Sequence, residues 1–69
     1  MNYEELLASG AGKRERRSWM ARGASKVTTV RITEHLREAI EAEAAAEGIG
    51  FSDYVRRALI DSVAGGRRG

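Results

Sequence analysis

The chain has 69 residues, with 12 Lys and Arg against 10 Asp and Glu, no Cys, no Pro and a single His. Hydrophobic residues make up 42% of it, but 11 of them are Ala, so few large side chains remain to form a core. A core of this size is small for a chain that has no cross-link to stabilise it. The composition excludes a disulfide framework and a Cys/His zinc site. Oligomerisation is the remaining common way to stabilise so small a core, and we therefore expect an obligate dimer.

Charge is distributed unevenly along the chain. Residues 1–12 carry a net charge of −2, residues 13–26 carry +5, residues 27–64 carry −3 and the last five residues carry +2. A basic stretch joined to a mildly acidic body suggests that the stretch binds a polyanion. The alternative reading is a solvated linker that its charge keeps soluble.

Residues 1–25 are predicted to form a disordered basic N-terminal arm, because they are interrupted by Gly and have no sustained apolar period. Within the arm, Tyr3–Ala8 could form one or two helical turns, which are too short to be stable alone. Trp19 could stack on a base or insert into a partner's groove, and a freely exposed aromatic ring is the equally weighted alternative.

The first folded element is predicted to be a strand over about residues 27–33. This segment is rich in β-branched residues, and Val30 and Ile32 alternate with Thr29 and Arg31. The chain offers no second strand candidate, so the backbone groups would need the same strand of another copy as their partner. This is the strongest sequence argument for a dimer.

Two helices are predicted after the strand. The first covers about residues 34–47, with Thr33 as its N-cap and Gly48 after its end. The second covers about residues 53–64, with Ser52 as its N-cap.

The predicted organisation is an arm, one domain at residues 26–64, and a flexible tail at residues 65–69. The domain runs strand, helix, turn, helix, so the predicted fold class is mainly α with one strand.

Several functional classes find no support in the sequence. There is no nucleophile–base set, no paired carboxylate in a pocket-forming context and no complete phosphate-binding loop, so we expect neither an enzyme nor a bound cofactor or metal. No stretch approaches the roughly 20 apolar residues of a membrane span, and residues 1–12 do not resemble a secretory signal. We expect a cytoplasmic, nucleoid-associated protein without a membrane partner.

The run Thr29–Thr33 entering Glu34-His35-Leu36, followed by the run Gly48–Leu59, resembles the ribbon-helix-helix (MetJ/Arc/CopG-like) family of DNA-binding proteins. The second run looks like the family's Gly-x-x-x-Ser-x-Tyr-x-Arg pattern between the helices. A basic arm before the strand is similar to the layout of omega-type and ParG-type plasmid repressors and partition proteins. The resemblance implies an intertwined homodimer whose two strands form an antiparallel β-ribbon in the DNA major groove.

The same resemblance implies roles for individual residues. The implied base-contacting residues are Val27, Thr29 and Arg31. Phosphate contacts are implied for Lys26 and for the backbone amides at Ser52 and Asp53, which open the second helix.

The implied function is sequence-specific binding of double-stranded DNA as a transcriptional repressor. An alternative is a plasmid or chromosome partition protein whose arm engages and stimulates a ParA-type ATPase. The candidate arm residues for DNA or ATPase contact are Lys13, Arg14, Arg16 and Arg17. A further alternative is the antitoxin of a toxin–antitoxin pair, although few residues follow the second helix to bind a toxin.

Overall fold

The structure is a computed structural model that describes residues 1–66. Its helices are α1 (Tyr3–Ala8), α2 (Lys13–Met20), α3 (Glu34–Glu47) and α4 (Phe51–Gly65). The chain divides into two compact units. The terminal unit consists of Met1–Ala24 and the described residues from Ile60 onward, and the central unit is Ser25–Leu59.

The predicted strand is not formed, and the ribbon-helix-helix prediction with its two-stranded β-ribbon is wrong for this chain. Residues 1–66 contain helices and no strand, and residues 24–33 have no regular secondary structure. Val27 and Val30 are 97% and 70% exposed. β-branched residues favour strands because they suit a pleated, half-buried surface, and here neither burial nor a neighbouring strand is present. Because the ribbon is not formed, the structure does not support the intertwined dimer that was inferred from strand pairing.

The terminal unit begins with two helices where the sequence suggested a disordered arm. Asn2 caps α1: its side-chain oxygen accepts from the Glu5 amide at 2.8 Å, and the Glu5 carboxylate accepts from the Asn2 amide at 3.3 Å. Leu6 is buried, and the Tyr3 and Trp19 rings pack with their centroids 5.7 Å apart. A capping box and packing between α1 and α2 therefore order helices too short to persist in isolation.

In the central unit, α3 has the residue range expected from the sequence. The Thr33 hydroxyl accepts from the Leu36 amide at 3.1 Å and caps the first turn. Gly48 takes a left-handed conformation with φ 70°, and the amides of Gly48 and Ile49 donate to carbonyls of the last turn at 3.1 and 3.0 Å. These two bonds form a Schellman turn, which glycine adopts without steric strain.

Little of the described chain is fully buried. Its buried apolar residues are Leu6, Ala44 and Ala64. In the central unit, Leu36 and Leu59 are 49% and 59% exposed although both belong to apolar helical patterns. The core is therefore small, as the composition indicated. Of the predicted flexible tail, Gly65 is the last residue of α4, and residues 67–69 lie outside the described residues.

Candidate nucleic-acid interface

The basic stretch at residues 13–33 contains seven cations and one acid, Glu15. Four of the cations lie on α2, and the other three lie in the segment at residues 21–33, whose residues are all exposed. The ion pairs within residues 1–66 involve Arg17, Arg37, Arg56 and Arg57. In the part of the chain that the structure describes, Lys13, Arg14, Arg22, Lys26 and Arg31 thus have no carboxylate partner.

The four cations of α2 do not act as one group. Arg16 is half-buried and donates to the carbonyls of Ala64 at 2.8 Å and Ala11 at 3.1 Å. Arg17 forms an ion pair with Asp61 of α4. Both side chains connect α2 to α4, a role that helical spacing alone did not reveal because Ala64 and Asp61 lie more than forty residues away in sequence.

Lys13 and Arg14 are the exposed cations at the start of α2. The Lys13 ammonium lies near Gly65 at the end of α4, while the Arg14 side chain makes no hydrogen bond to the other residues that the structure describes. Of the predicted arm residues, Arg14 is therefore the one most available to an external anion.

Val27, Thr29 and Arg31, the implied base-contacting residues, lie in exposed, irregular backbone. Without a strand, their alternating positions do not define a shared face. Lys26 lies in the same segment and is also exposed. The structure therefore makes all four side chains accessible but does not arrange them as a ribbon would.

Helix α4 begins at Phe51, two residues before the predicted start, so Ser52 is inside the first turn and is not the N-cap. The first main-chain bond of the helix runs from the Tyr54 amide to the Gly50 carbonyl at 3.0 Å. The amides that precede Tyr54 in this turn, at Ser52 and Asp53 among others, have no acceptor within the helix. The phosphate contacts that the resemblance implies for Ser52 and Asp53 stay a prediction.

Asp53 places a carboxylate beside these amides, but that carboxylate is not free. Its Oδ1 accepts from the Arg56 guanidinium at 2.5 Å. Because the pair is exposed on both sides, the guanidinium reduces the local negative charge at little cost in stability.

Two arginines position the start of α4 against α3. The Arg37 guanidinium lies 5.2 Å from the Phe51 ring centroid, and Arg57 lies 5.9 Å from that of Tyr54. Arg57 also forms an ion pair with Glu47 at the end of α3. The contacts of Arg37 with Phe51 and of Arg57 with Glu47 join residues on either side of the turn, whereas the contact of Arg57 with Tyr54 lies within α4.

The terminal unit also contains an open pocket of about 560 Å³ that the sequence did not predict. It is lined by Met1, Trp19, Met20, Arg22 and Gly23. The only signal in the sequence was a single Trp inside a basic stretch.

Neither a membrane span nor a metal centre is evident in the described part of the chain. None of the helices within residues 1–66 has the length and apolar character needed to cross a bilayer. In the same residues, no three His, Asp or Glu side chains are grouped so that they could hold a metal ion.

Residues 22–64 match the NikA-like family, which is described as that of the mobilization protein NikA. This range includes the unpaired cations Arg22, Lys26 and Arg31, together with α3 and most of α4. No curated protein and no solved structure matches the chain. Because the matched range is more than half of the 69 residues, the chain belongs to the NikA-like family of mobilization proteins.

Proposed function

We propose that this protein binds double-stranded DNA and acts as a DNA-binding component of mobilization. The observation that carries the proposal is the exposed and unpaired positive charge of residues 13–33 in a member of a mobilization family. Lysine and arginine side chains without carboxylate partners are the groups that neutralise DNA phosphates and release the condensed counterions.

Within this proposal, phosphate contacts come from Arg14, Lys26 and the first-turn amides at Ser52 and Asp53. The exposed segment at residues 21–33 has no secondary structure to lose and orders when it contacts DNA. Base contacts are proposed for Val27, Thr29 and Arg31, with Arg31 donating to a guanine edge. This contact is made by an irregular segment and not by a ribbon.

We propose that the protein also associates with a second copy of itself. Leu36 and Leu59 of the central unit are about half exposed, and the buried residues of that unit provide little apolar area. Because so small a core needs further apolar burial and oligomerisation is one way to supply it, we propose that a second copy covers these side chains. A homo-oligomer would also present two copies of the basic stretch to DNA.

Repression of transcription is the finer function that such binding supports, wherever the recognised site overlaps a promoter. The partition role with a ParA-type ATPase and the antitoxin role are not carried forward, because the family is one of mobilization proteins.

The proposal is tested by selecting duplexes from a random-sequence pool at physiological salt and measuring their affinity by fluorescence anisotropy. Binding constants are then measured over a series of salt concentrations. Arg14→Gln removes a proposed phosphate contact and should reduce the slope of log K against log salt by about 0.9. Arg31→Gln removes the proposed guanine contact, so it should reduce the preference for the selected duplex over a scrambled one and change the salt slope less than Arg14→Gln does.

The matched control is Arg37→Gln, which removes one positive charge from a side chain that already has partners in Glu41 and Phe51. It should leave the salt slope unchanged. If no duplex is enriched and the wild-type chain binds DNA no better than the Arg14→Gln and Arg31→Gln variants do, the proposed function is wrong.

A further inference from the structure

The pocket in the terminal unit combines an aromatic wall with a cation. Trp19 and Met20 come from the end of α2, Met1 comes from the N-terminus, and Arg22 and Gly23 follow α2. Trp19 is half-buried, and its ring packs against the Tyr3 ring, with the two ring centroids 5.7 Å apart. The indole is thus held in place while part of it stays accessible from the pocket.

The chemistry of the lining restricts what fits. An indole and thioether side chains favour a flat, polarisable group, because aromatic rings gain from stacking and methionine adapts its shape to the guest. Arg22 also lines the pocket, and its guanidinium, which has no carboxylate partner among the described residues, favours an anion beside that flat group. A flat heterocycle joined to a phosphate is a nucleotide.

We infer that this pocket binds an unstacked base of single-stranded DNA, with the base on Trp19 and a neighbouring phosphate on Arg22. A base within a duplex is not available to such a pocket, because both of its faces are covered by its neighbours in the stack. Lys13 and Arg14 at the other end of α2 are also exposed and are available to phosphates further along the strand. This assignment rests on the proposed nucleic-acid binding and adds a second mode to it, which uses stacking and not base-edge contacts.

The protein has one Trp, so fluorescence excited selectively at the indole, and not at the two Tyr residues, reports on the surroundings of Trp19. The experiment titrates the wild-type full chain with a short oligothymidylate and with an abasic deoxyribose-phosphate oligomer of the same length. Stacking should quench Trp19 fluorescence with the oligothymidylate and not with the abasic oligomer. Since a stacked base contributes about 1–3 kcal/mol, the abasic oligomer should bind roughly 5- to 140-fold more weakly.

Three variants assign the effect to the two residues, Trp19 and Arg22. Trp19→Ala, measured by anisotropy of labelled oligomers, should abolish the difference between the two oligomers, and Trp19→Phe should restore part of it. Arg22→Gln should weaken both oligomers, keep the quenching and reduce the salt slope by about 0.7. Circular dichroism shows whether each variant keeps its helices, and if Trp19→Ala does not fold, the wild-type comparison of the two oligomers decides the question.

Equal affinity for the two oligomers, or unchanged Trp19 fluorescence at saturation, would overturn the inference. A parallel titration with duplex DNA separates this outcome from failure of the proposed function. If the duplex still binds with its salt dependence, only the base pocket is wrong, whereas loss of binding to every DNA overturns both.

Discussion

The Arg16 guanidinium donates a hydrogen bond to the main-chain carbonyl of Ala64 at 2.8 Å and so joins α2 to the end of α4 across 48 positions of sequence. Carbonyls in the last turn of a helix lack intrahelical donors, and the helix dipole makes this end favourable for a cation. Arg16 lies in the most basic part of the chain, and its positive charge therefore stabilises the fold.

Replacing Arg16 by Gln should destabilise the terminal unit by about 1–2 kcal/mol, because a charged donor is lost at a partly buried helix end. Hydrogen exchange measures this locally: amides in α2 and in the last turn of α4 should lose protection. Arg14→Gln is the control, since Arg14 is exposed on the same helix. Equal changes in the two variants would show that the Arg16 bond contributes nothing measurable.

Asp61→Asn should strengthen duplex binding. It removes the carboxylate that pairs with Arg17, so one more guanidinium becomes available for a phosphate. The salt slope should become steeper by up to about 0.9, while the free energy of unfolding changes by less than about 1 kcal/mol because the pair is exposed. Salt-dependent anisotropy and thermal melting provide the two measurements. The double variant Asp61→Asn with Arg17→Gln should return to the original slope, and a steeper slope that persists in the double variant would exclude Arg17 as the source.

Gly48→Ala should reduce the stability of the central unit by about 1–2 kcal/mol. The cause is the left-handed backbone, φ 70°, since a Cβ at this position would meet nothing within 4 Å. Thermal or denaturant unfolding measures the loss. Gly48→Asn has the larger side chain but should be less damaging, because Asn tolerates this conformation better than Ala does. The reverse order of stability would contradict the argument from backbone conformation.

Leu59→Asp tests the proposed self-association. Leu59 is 59% exposed in the single chain, so the substitution should change the stability of an isolated copy only slightly. If a second copy covers this side chain, the charged residue should shift the chain toward monomer in sedimentation equilibrium. Ser62→Asp is the matched control, with the same added charge at another exposed position of α4. A wild-type chain that is monomeric at all concentrations, or equal effects of the two substitutions, would reject the proposed surface.

The start of α4 differs from the position that local capping signals predict. Ser52 and Asp53 form a convincing helix start in the sequence, yet the helix begins at Phe51. Phe51 lies under the Arg37 guanidinium of α3, and Arg57 reaches Glu47. The contacts across the turn thus accompany a helix that begins two residues before the start that capping preferences predict.

The β-branched composition of residues 27–33 predicts a strand, but this segment does not form one, because residues 1–66 provide no second strand for it to pair with. A strand is stable only when its backbone groups pair with another strand, so residues 27–33 depend on something outside their own segment. The sequence by itself determined α3, its Thr33 cap and its Gly48 end, since helix bonds, capping and glycine conformation all act within a few residues. It also determined the concentration of positive charge before α3.

Only the tertiary structure decided which of those charges are available. Arg16 and Arg17 are engaged by Ala64 and Asp61, whereas Arg14 is exposed, although all three lie within four residues on one short helix. It also decided that Tyr3 supports Trp19 and that a pocket forms beside the indole. The physical reason is distance along the chain: these partners are contributed by segments far apart in sequence, and their meeting depends on how the helices pack, which no local preference records.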